Sequence, residues 1–312
     1  MRILITGAAG FIGRRLTREL RVQGRLCGRP LGELVLVDIV PPPDAEGCTI
    51  ATGSIGDADF LQGLFAGPGY DVVFHLAASL TQEAERDMAH GLAVNIEGML
   101  RLLGHLRAQH PPARLVFASS IAAFGGVLPD VVGDDTPRLP RTSYGTQKAI
   151  AELLLADHAR QGVIDARALR LPIVVIRPGA PSPAVSDQVA AILREPLNGR
   201  DVVCGLRPET RLPLASVGRV ARSLRLMAEV PGEALPDTRA INQPALTVSV
   251  AEMVAALDAH HAMDHVSWRP DPALQAVVDS WPRGFRSATA ERLGIQADTG
   301  LDAIIEDYLS AG

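Results

Sequence analysis

The chain has 312 residues, 47% of them apolar and 21% charged, with a formal net charge of −5. That apolar content supports a sizeable core, in one large domain or two smaller ones, and excludes intrinsic disorder. A mildly acidic surface of mixed sign gives no electrostatic reason to expect nucleic acid or an anionic membrane as partner.

Short strand-forming runs alternate with helical segments through the first half. Arg2 to Thr6, Leu34 to Asp38, Asp71 to Leu76, Arg114 to Ala118 and Ile173 to Arg177 read as buried strands. Phe11 to Val22, Leu92 to Gln109 and Tyr144 to Gln161 carry helical periodicity. The alternation predicts an α/β fold built on a doubly wound parallel sheet. Beyond Arg177 the pattern is broken by Pro178, Pro181 and Pro183, followed by an amphipathic segment from Val185 to Arg194 and an irregular stretch. Leu214 to Val230 reads as a helix and Arg239 to Asn242 as a strand returning to the sheet. Ser249 and Glu252 then form a capping box that opens another helix. The expected division is a nucleotide-binding domain over 1–178, with 214–245 returning to it, and a smaller substrate-binding lobe from 179–213 and 246–312.

Cys27, Cys48 and Cys204 are three widely spaced cysteines, which indicates neither a disulfide framework nor a thiolate metal site. His260, His261 and His265 lack a third ligand at suitable spacing, so no metal is expected. No apolar run is long enough for a membrane helix, and the N-terminal Ile3-Leu4-Ile5 stretch is too short for a signal peptide. A soluble protein of a reducing, cytoplasmic compartment is the expectation.

Thr6-Gly7-Ala8-Ala9-Gly10-Phe11-Ile12-Gly13 follows the first strand and opens the first helix. Glycines there let the backbone turn tightly and approach a pyrophosphate at the positive helix end. Asp38 ends the next strand, where a carboxylate accepts from adenosine ribose hydroxyls and repels a 2′-phosphate, favouring NAD over NADP. Arg14 and Arg15 argue the other way, but their positions inside the helix suit surface residues.

The second constellation is Ser143-Tyr144-Gly145-Thr146-Gln147-Lys148, at the start of a helix that follows Ser119-Ser120. Tyr144 and Lys148 are four apart and project from one helix face. An ammonium beside a phenol favours the phenolate and makes tyrosine a usable acid/base group. Lys148 is the single lysine among 30 basic residues, and it stands four positions after one of three tyrosines. Random placement would seldom produce that pairing.

The spacing Gly7-x-x-Gly10-x-x-Gly13, with the Tyr144/Lys148 pair, resembles the extended branch of the short-chain dehydrogenase/reductase superfamily, and the resemblance covers nearly the whole chain. It implies a Rossmann fold binding NAD through Gly7, Gly10, Phe11, Ile12, Gly13 and Asp38. Asp57 would contact adenine, and Leu76, Ala77 and Ala78 would flank the cofactor after the fourth strand. It further implies Tyr144 as general base and Lys148 as tuner of Tyr144 and ribose ligand. Ser120 would orient the substrate oxygen, Ser119 would be structural, Asn95 would support a proton relay, and Pro178 would lie beside the nicotinamide. His75 reads as a packed strand-end histidine.

Arg177-Pro178-Gly179-Ala180-Pro181-Ser182-Pro183 lacks the Asn and Tyr-Gly-Pro step usual in the nucleotide-sugar members. Together with Ser143 to Ile150 and Ile192-Leu193-Arg194-Glu195-Pro196-Leu197, it resembles the D-erythronate dehydrogenase group, which oxidises the C2 hydroxyl of a small sugar acid with NAD. Arg211 is the expected partner of the substrate carboxylate, with Ser79 and Ser186 as hydroxyl contacts. Homodimerisation is a family expectation. The alternatives are a nucleotide-sugar epimerase or dehydratase with tightly bound NAD, and a non-catalytic redox sensor, which would commonly lack the tyrosine or the lysine.

Overall fold

The computed structural model describes residues 1–43, 45–182 and 184–311; Pro183, one of the expected chain breakers, lies outside them. Its chief element is a seven-stranded sheet. Strand β1 (Arg2–Thr6) leads to α1 (Phe11–Gln23), β2 (Glu33–Asp38) and the short edge strand β3 (Thr49–Thr52). Helix α2 (Ala58–Leu64) precedes β4 (Val72–His75), after which come α3 (Thr81–Arg86), α4 (Met88–Leu92), a π turn over Ala93–Glu97 and α5 (Gly98–Arg107). Strand β5 (Arg114–Ser120), α6 (Ser143–Arg160), β6 (Asp165–Leu171) and, far along the chain, β7 (Ala240–Asn242) complete it.

The strand order is β7-β6-β5-β4-β1-β2-β3, and β3, β2, β1, β4 and β5 pair in parallel. This is the doubly wound order, with its switch point between β1 and β4. The inner strands are buried almost end to end, as expected for a parallel sheet covered on both faces. One face packs Leu4, Val35, Val73, Leu115 and Ala168 against Met99, Leu103 and Leu106 of α5 and Ala151 and Leu155 of α6.

The chain separates into two compact units. The first comprises Met1–Ala123, Arg138–Arg170 and Ala221–Ile241; the second comprises Phe124–Pro137, Leu171–Val220 and Asn242–Gly312. In the second, Ile173–Val174, Arg211–Ala215 and Leu246–Ser249 form a three-stranded sheet. Helix α7 (Val185–Leu197) contributes Val189, Ala190, Ile192 and Leu193 to that unit's core. The capping box is present: Ser249 Oγ accepts from Glu252 N–H at 3.2 Å, and Ser249 N–H donates to Glu252 Oε2 at 2.6 Å.

Several elements differ from the sequence expectations. The strand expected over Ile173 to Arg177 is only Ile173–Val174 and belongs to the small sheet; the sixth strand of the large sheet is β6, which was not expected. The sequence of β6, Asp-Ala-Arg-Ala-Leu-Arg-Leu, hides a buried strand behind two arginines. Both are buried with matched charge. Arg167 donates to the carbonyls of Met227 and Val230 and to Asp165, and Arg170 forks onto Glu152. The helix expected from Leu214 is preceded by a strand through Ala215, with Pro213 in its middle, and α8 runs over Val217–Glu229. The helix expected over Leu92 to Gln109 carries the π turn at its start.

Removing a fully buried guanidinium leaves its acceptors without donors. Arg167→Met is therefore expected to lower the unfolding free energy by about 3 kcal/mol, read by urea denaturation.

Candidate active site

The turn after β1 is shaped by backbone contact. Gly7 has φ +73°, and a Cβ there would lie 2.7 Å from the amide nitrogen of Ala77. A Cβ on Gly13 would lie 2.2 Å from the Gly7 carbonyl oxygen, so the helix can follow the turn this closely only with glycine. Gly10, exposed, is the N-cap of α1; no side chain caps it and the first turn holds no acidic residue. Phe11 and Ile12, half-buried, continue the turn into the helix. Asp38 Oδ2 accepts from Ala9 N–H at 2.9 Å and Oδ1 from Ile39 N–H at 2.7 Å, fixing the β2 carboxylate beside the glycine turn. An uncapped, acid-free helix start with a carboxylate held next to it fits the pyrophosphate and ribose of a dinucleotide.

On the far side of the switch point, β4 ends at His75, which is fully buried. Its Nδ1 lies 2.8 Å from Thr6 Oγ1 and its ring stacks on Phe117. Burial, and secondarily the charge of Lys148, pushes its pKa down to about 3, so it is neutral at physiological pH. Leu76, Ala77 and Ala78 form the half-buried turn that follows, with Leu76 N–H bonded to Thr6 O. Asn95 fixes the next residue: its Oδ1 accepts from Ser79 N–H at 2.9 Å and its Nδ2 donates to Ser79 O at 2.8 Å and to Gln147 Oε1 at 2.6 Å. Both amide hydrogens are thus used on the protein, which makes Asn95 a clamp between the β4 loop and α6. Ser79 is buried and its hydroxyl donates to Glu83 at 3.3 Å. Asp57 is the N-cap of α2, with Oδ1 accepting from Asp59 and Phe60 N–H.

Tyr144 and Lys148 occupy the first turns of α6, and Ser120 closes β5. A Cβ on Gly145 would lie 2.0 Å from the Ala122 carbonyl oxygen, so α6 starts in backbone contact with the segment just past Ser120. Lys148 is buried; its Nζ donates to Ala118 O at 2.8 Å and lies 4.3 Å from the Phe117 ring centroid and 5.4 Å from that of Tyr144. Burial pushes its pKa down to about 7, and the nearby Glu152 charge opposes that shift. Ser120 Oγ accepts from Ala122 N–H at 3.1 Å, and Ser119 donates to Glu152. The first unit therefore holds Ser120, Tyr144, Lys148 and Asn95 on touching elements. Gly145, Gln147 and Glu152 also shape the site, and the sequence reading gave them no role. The signal was available in their spacing: Glu152 continues the face of Tyr144 and Lys148 one turn further.

The remaining expected residues belong to the second unit. Pro178 is exposed before Gly179, Ser186 is half-buried in the first turn of α7, and Arg211 is exposed at the start of its strand, opposite Ser249. Because the sixth strand is β6, the residue that directly follows it is Pro172, not Pro178. Cys204 is buried, and burial pushes its thiol pKa up. His265 Nδ1 lies 2.7 Å from Asp201, and among the described residues no three His, Cys, Asp or Glu are grouped to hold a metal ion. Among those residues, too, no helix is long and apolar enough to cross a membrane.

Since the neighbour of Gly145 is a backbone carbonyl that cannot step aside, Gly145→Ala is expected to destabilise the fold by roughly 1–3 kcal/mol, read as a lowered Tm.

Comparison with known proteins agrees with this geometry. A D-erythronate dehydrogenase of Cupriavidus necator is 39% identical over 319 aligned residues, covering 99% of this chain and 98% of the relative. The D-erythronate dehydrogenase of Haemophilus influenzae is 33% identical over 314, covering 99% of each. Among solved structures, a nucleoside-diphosphate-sugar epimerase from Agrobacterium tumefaciens superposes with a TM-score of 0.92 at 34% identity, covering 100% of this chain and 95% of that one. The sequence model of one family matches residues 3–234, and with the glycine turn and the tyrosine–lysine helix both inside that span, the chain belongs to the NAD dependent epimerase/dehydratase family.

Proposed function

We propose that the protein is an NAD-dependent dehydrogenase that oxidises the C2 hydroxyl of D-erythronate to 2-keto-D-erythronate. The observation that carries the reaction type is the buried Lys148, bonded to the strand that ends in Ser120 and one helical turn from Tyr144. The substrate is supported by the two full-length relatives bearing that activity in their names.

In this reading Gly7, Gly10, Phe11, Ile12 and Gly13 cradle the pyrophosphate, and Asp38 accepts from the adenosine ribose, which selects NAD over NADP. Asp57 reaches the adenine, and Leu76, Ala77 and Ala78 line the cofactor. NAD, when bound, supplies the acceptor for the C2 hydride. Tyr144 takes the hydroxyl proton, helped by the Lys148 ammonium, which disfavours the protonated phenol and donates to the nicotinamide ribose. Ser120 orients the reacting oxygen. Asn95 supports the proton relay and holds Ser79 and Gln147 in place. Arg211 takes the acid carboxylate, Ser79 and Ser186 are hydroxyl contacts, and Pro172, directly after β6, replaces Pro178 as the residue proposed beside the nicotinamide. A cytoplasmic location and a homodimeric assembly complete the proposal.

The Agrobacterium structure favours a second reading, an epimerase that retains its cofactor and returns the hydride to the opposite face. Incubation with NAD and D-erythronate separates the two: accumulation of NADH equal to the acid consumed is expected, and interconversion of UDP-sugars without net NADH would establish the epimerase instead. Tyr144→Phe is expected to reduce turnover by at least 100-fold with NAD affinity little changed. Wild-type turnover in that variant would remove the proposed base. Arg211→Gln is expected to raise KM for the acid about tenfold without altering KM for NAD.

A further inference from the structure

We propose that Glu152 is a positioning residue for this reaction: its carboxylate, clamped by Ser119, Arg138 and Arg170, keeps the Lys148 ammonium charged and seated against the strand that carries Ser120. The inference rests on the reading of Tyr144 and Lys148 given above.

Tyr144, Lys148 and Glu152 follow one another at intervals of four and lie on one face of α6. The Glu152 side chain is completely buried and receives donors from three directions. Ser119 Oγ donates to Oε1, Arg138 Nη1 to Oε2 at 2.6 Å, and Arg170 forks onto both oxygens through Nε at 3.0 and 3.1 Å and Nη2 at 2.9 Å. Two adjacent residues of β5 thus bond two consecutive turns of α6: Ala118 accepts from Lys148, and Ser119 donates to Glu152.

The charges explain why this anion matters to the lysine. Arg138 and Arg170 are two cations on a single carboxylate, so without Glu152 both would be left uncompensated on the lysine's side of the helix, and Lys148 would lose the charge that favours its ammonium. The other groups facing Lys148 cannot substitute. His75 on β4 is neutral, Phe117 on β5 offers only its ring face, Ala118 offers a carbonyl dipole, and Tyr144 is the group to be ionised. Burial already lowers the proton affinity of Lys148, and the Glu152 charge is what opposes it.

The test is the pH dependence of kcat/KM with NAD and D-erythronate in Glu152→Gln and Arg138→Gln, with Tm measured for each. Loss of the anion is expected to move the alkaline limb, set by deprotonation of Lys148, to lower pH by about one unit. Loss of the partly exposed Arg138 cation is expected to move it the other way. A purely structural role would not produce shifts of opposite sign. If Glu152→Gln fails to fold, Arg138→Gln decides alone: an upward shift supports the proposal and a wild-type limb overturns it. Lys148→Met separates the two levels of argument. Wild-type turnover there removes the Tyr144/Lys148 reading itself, whereas an inactive Lys148→Met with unmoved limbs in the other two variants overturns only the role of Glu152.

Discussion

The site depends on one constraint: an ionised side chain taken out of water must be matched by charge and hydrogen bonds. The C-terminal end of the central strands buries Lys148, Glu152 and Arg170 together. None would be tolerated alone. Matched, they bind β5, α6 and β6 into one piece, and the tyrosine that precedes them on α6 inherits a fixed place relative to Ser120. Arg167 follows the same rule lower on β6, where it satisfies the carbonyls that α8 leaves free at its end.

Close backbone approach is the second organiser. Gly7, Gly13 and Gly145 each stand where a single added carbon would meet main-chain atoms. The first two let α1 begin directly beneath the turn. The third lets α6 begin against the segment after Ser120. The glycine turn and the start of α6 are thus set by the same device, absence of a side chain, at two places on one sheet.

Much of this was legible in the sequence. The glycine turn, Asp38 and the Tyr144/Lys148 pair announce themselves because their chemistry dictates both residue type and spacing, and the lysine stands out in a chain that otherwise uses arginine. Strands β1, β2, β4 and β5 were readable because burial on both faces leaves continuous apolar runs. The sixth strand was not, since Arg167 and Arg170 look exposed until their partners, distant in sequence, are known. Edge strand β3 escaped for the opposite reason: it is short and exposed, with little hydrophobic pattern to read. Glu152 shares a helix face with Tyr144 and Lys148 by its spacing, but only tertiary contacts show what it holds.

The π turn over Ala93–Glu97 has an evolutionary consequence. A π turn accommodates one residue more than the α-helix it interrupts, and each residue of an α-helix advances about 100° around the axis. Asn95 reaches Ser79 and Gln147 from within that surplus. Loss of one residue from this stretch would restore an unbroken helix and rotate α4 relative to α5 by a quarter turn or more, leaving Asn95 on the wrong side. The segment can therefore drift in composition but not in length, so insertions and deletions should be far rarer there than in the loops around it.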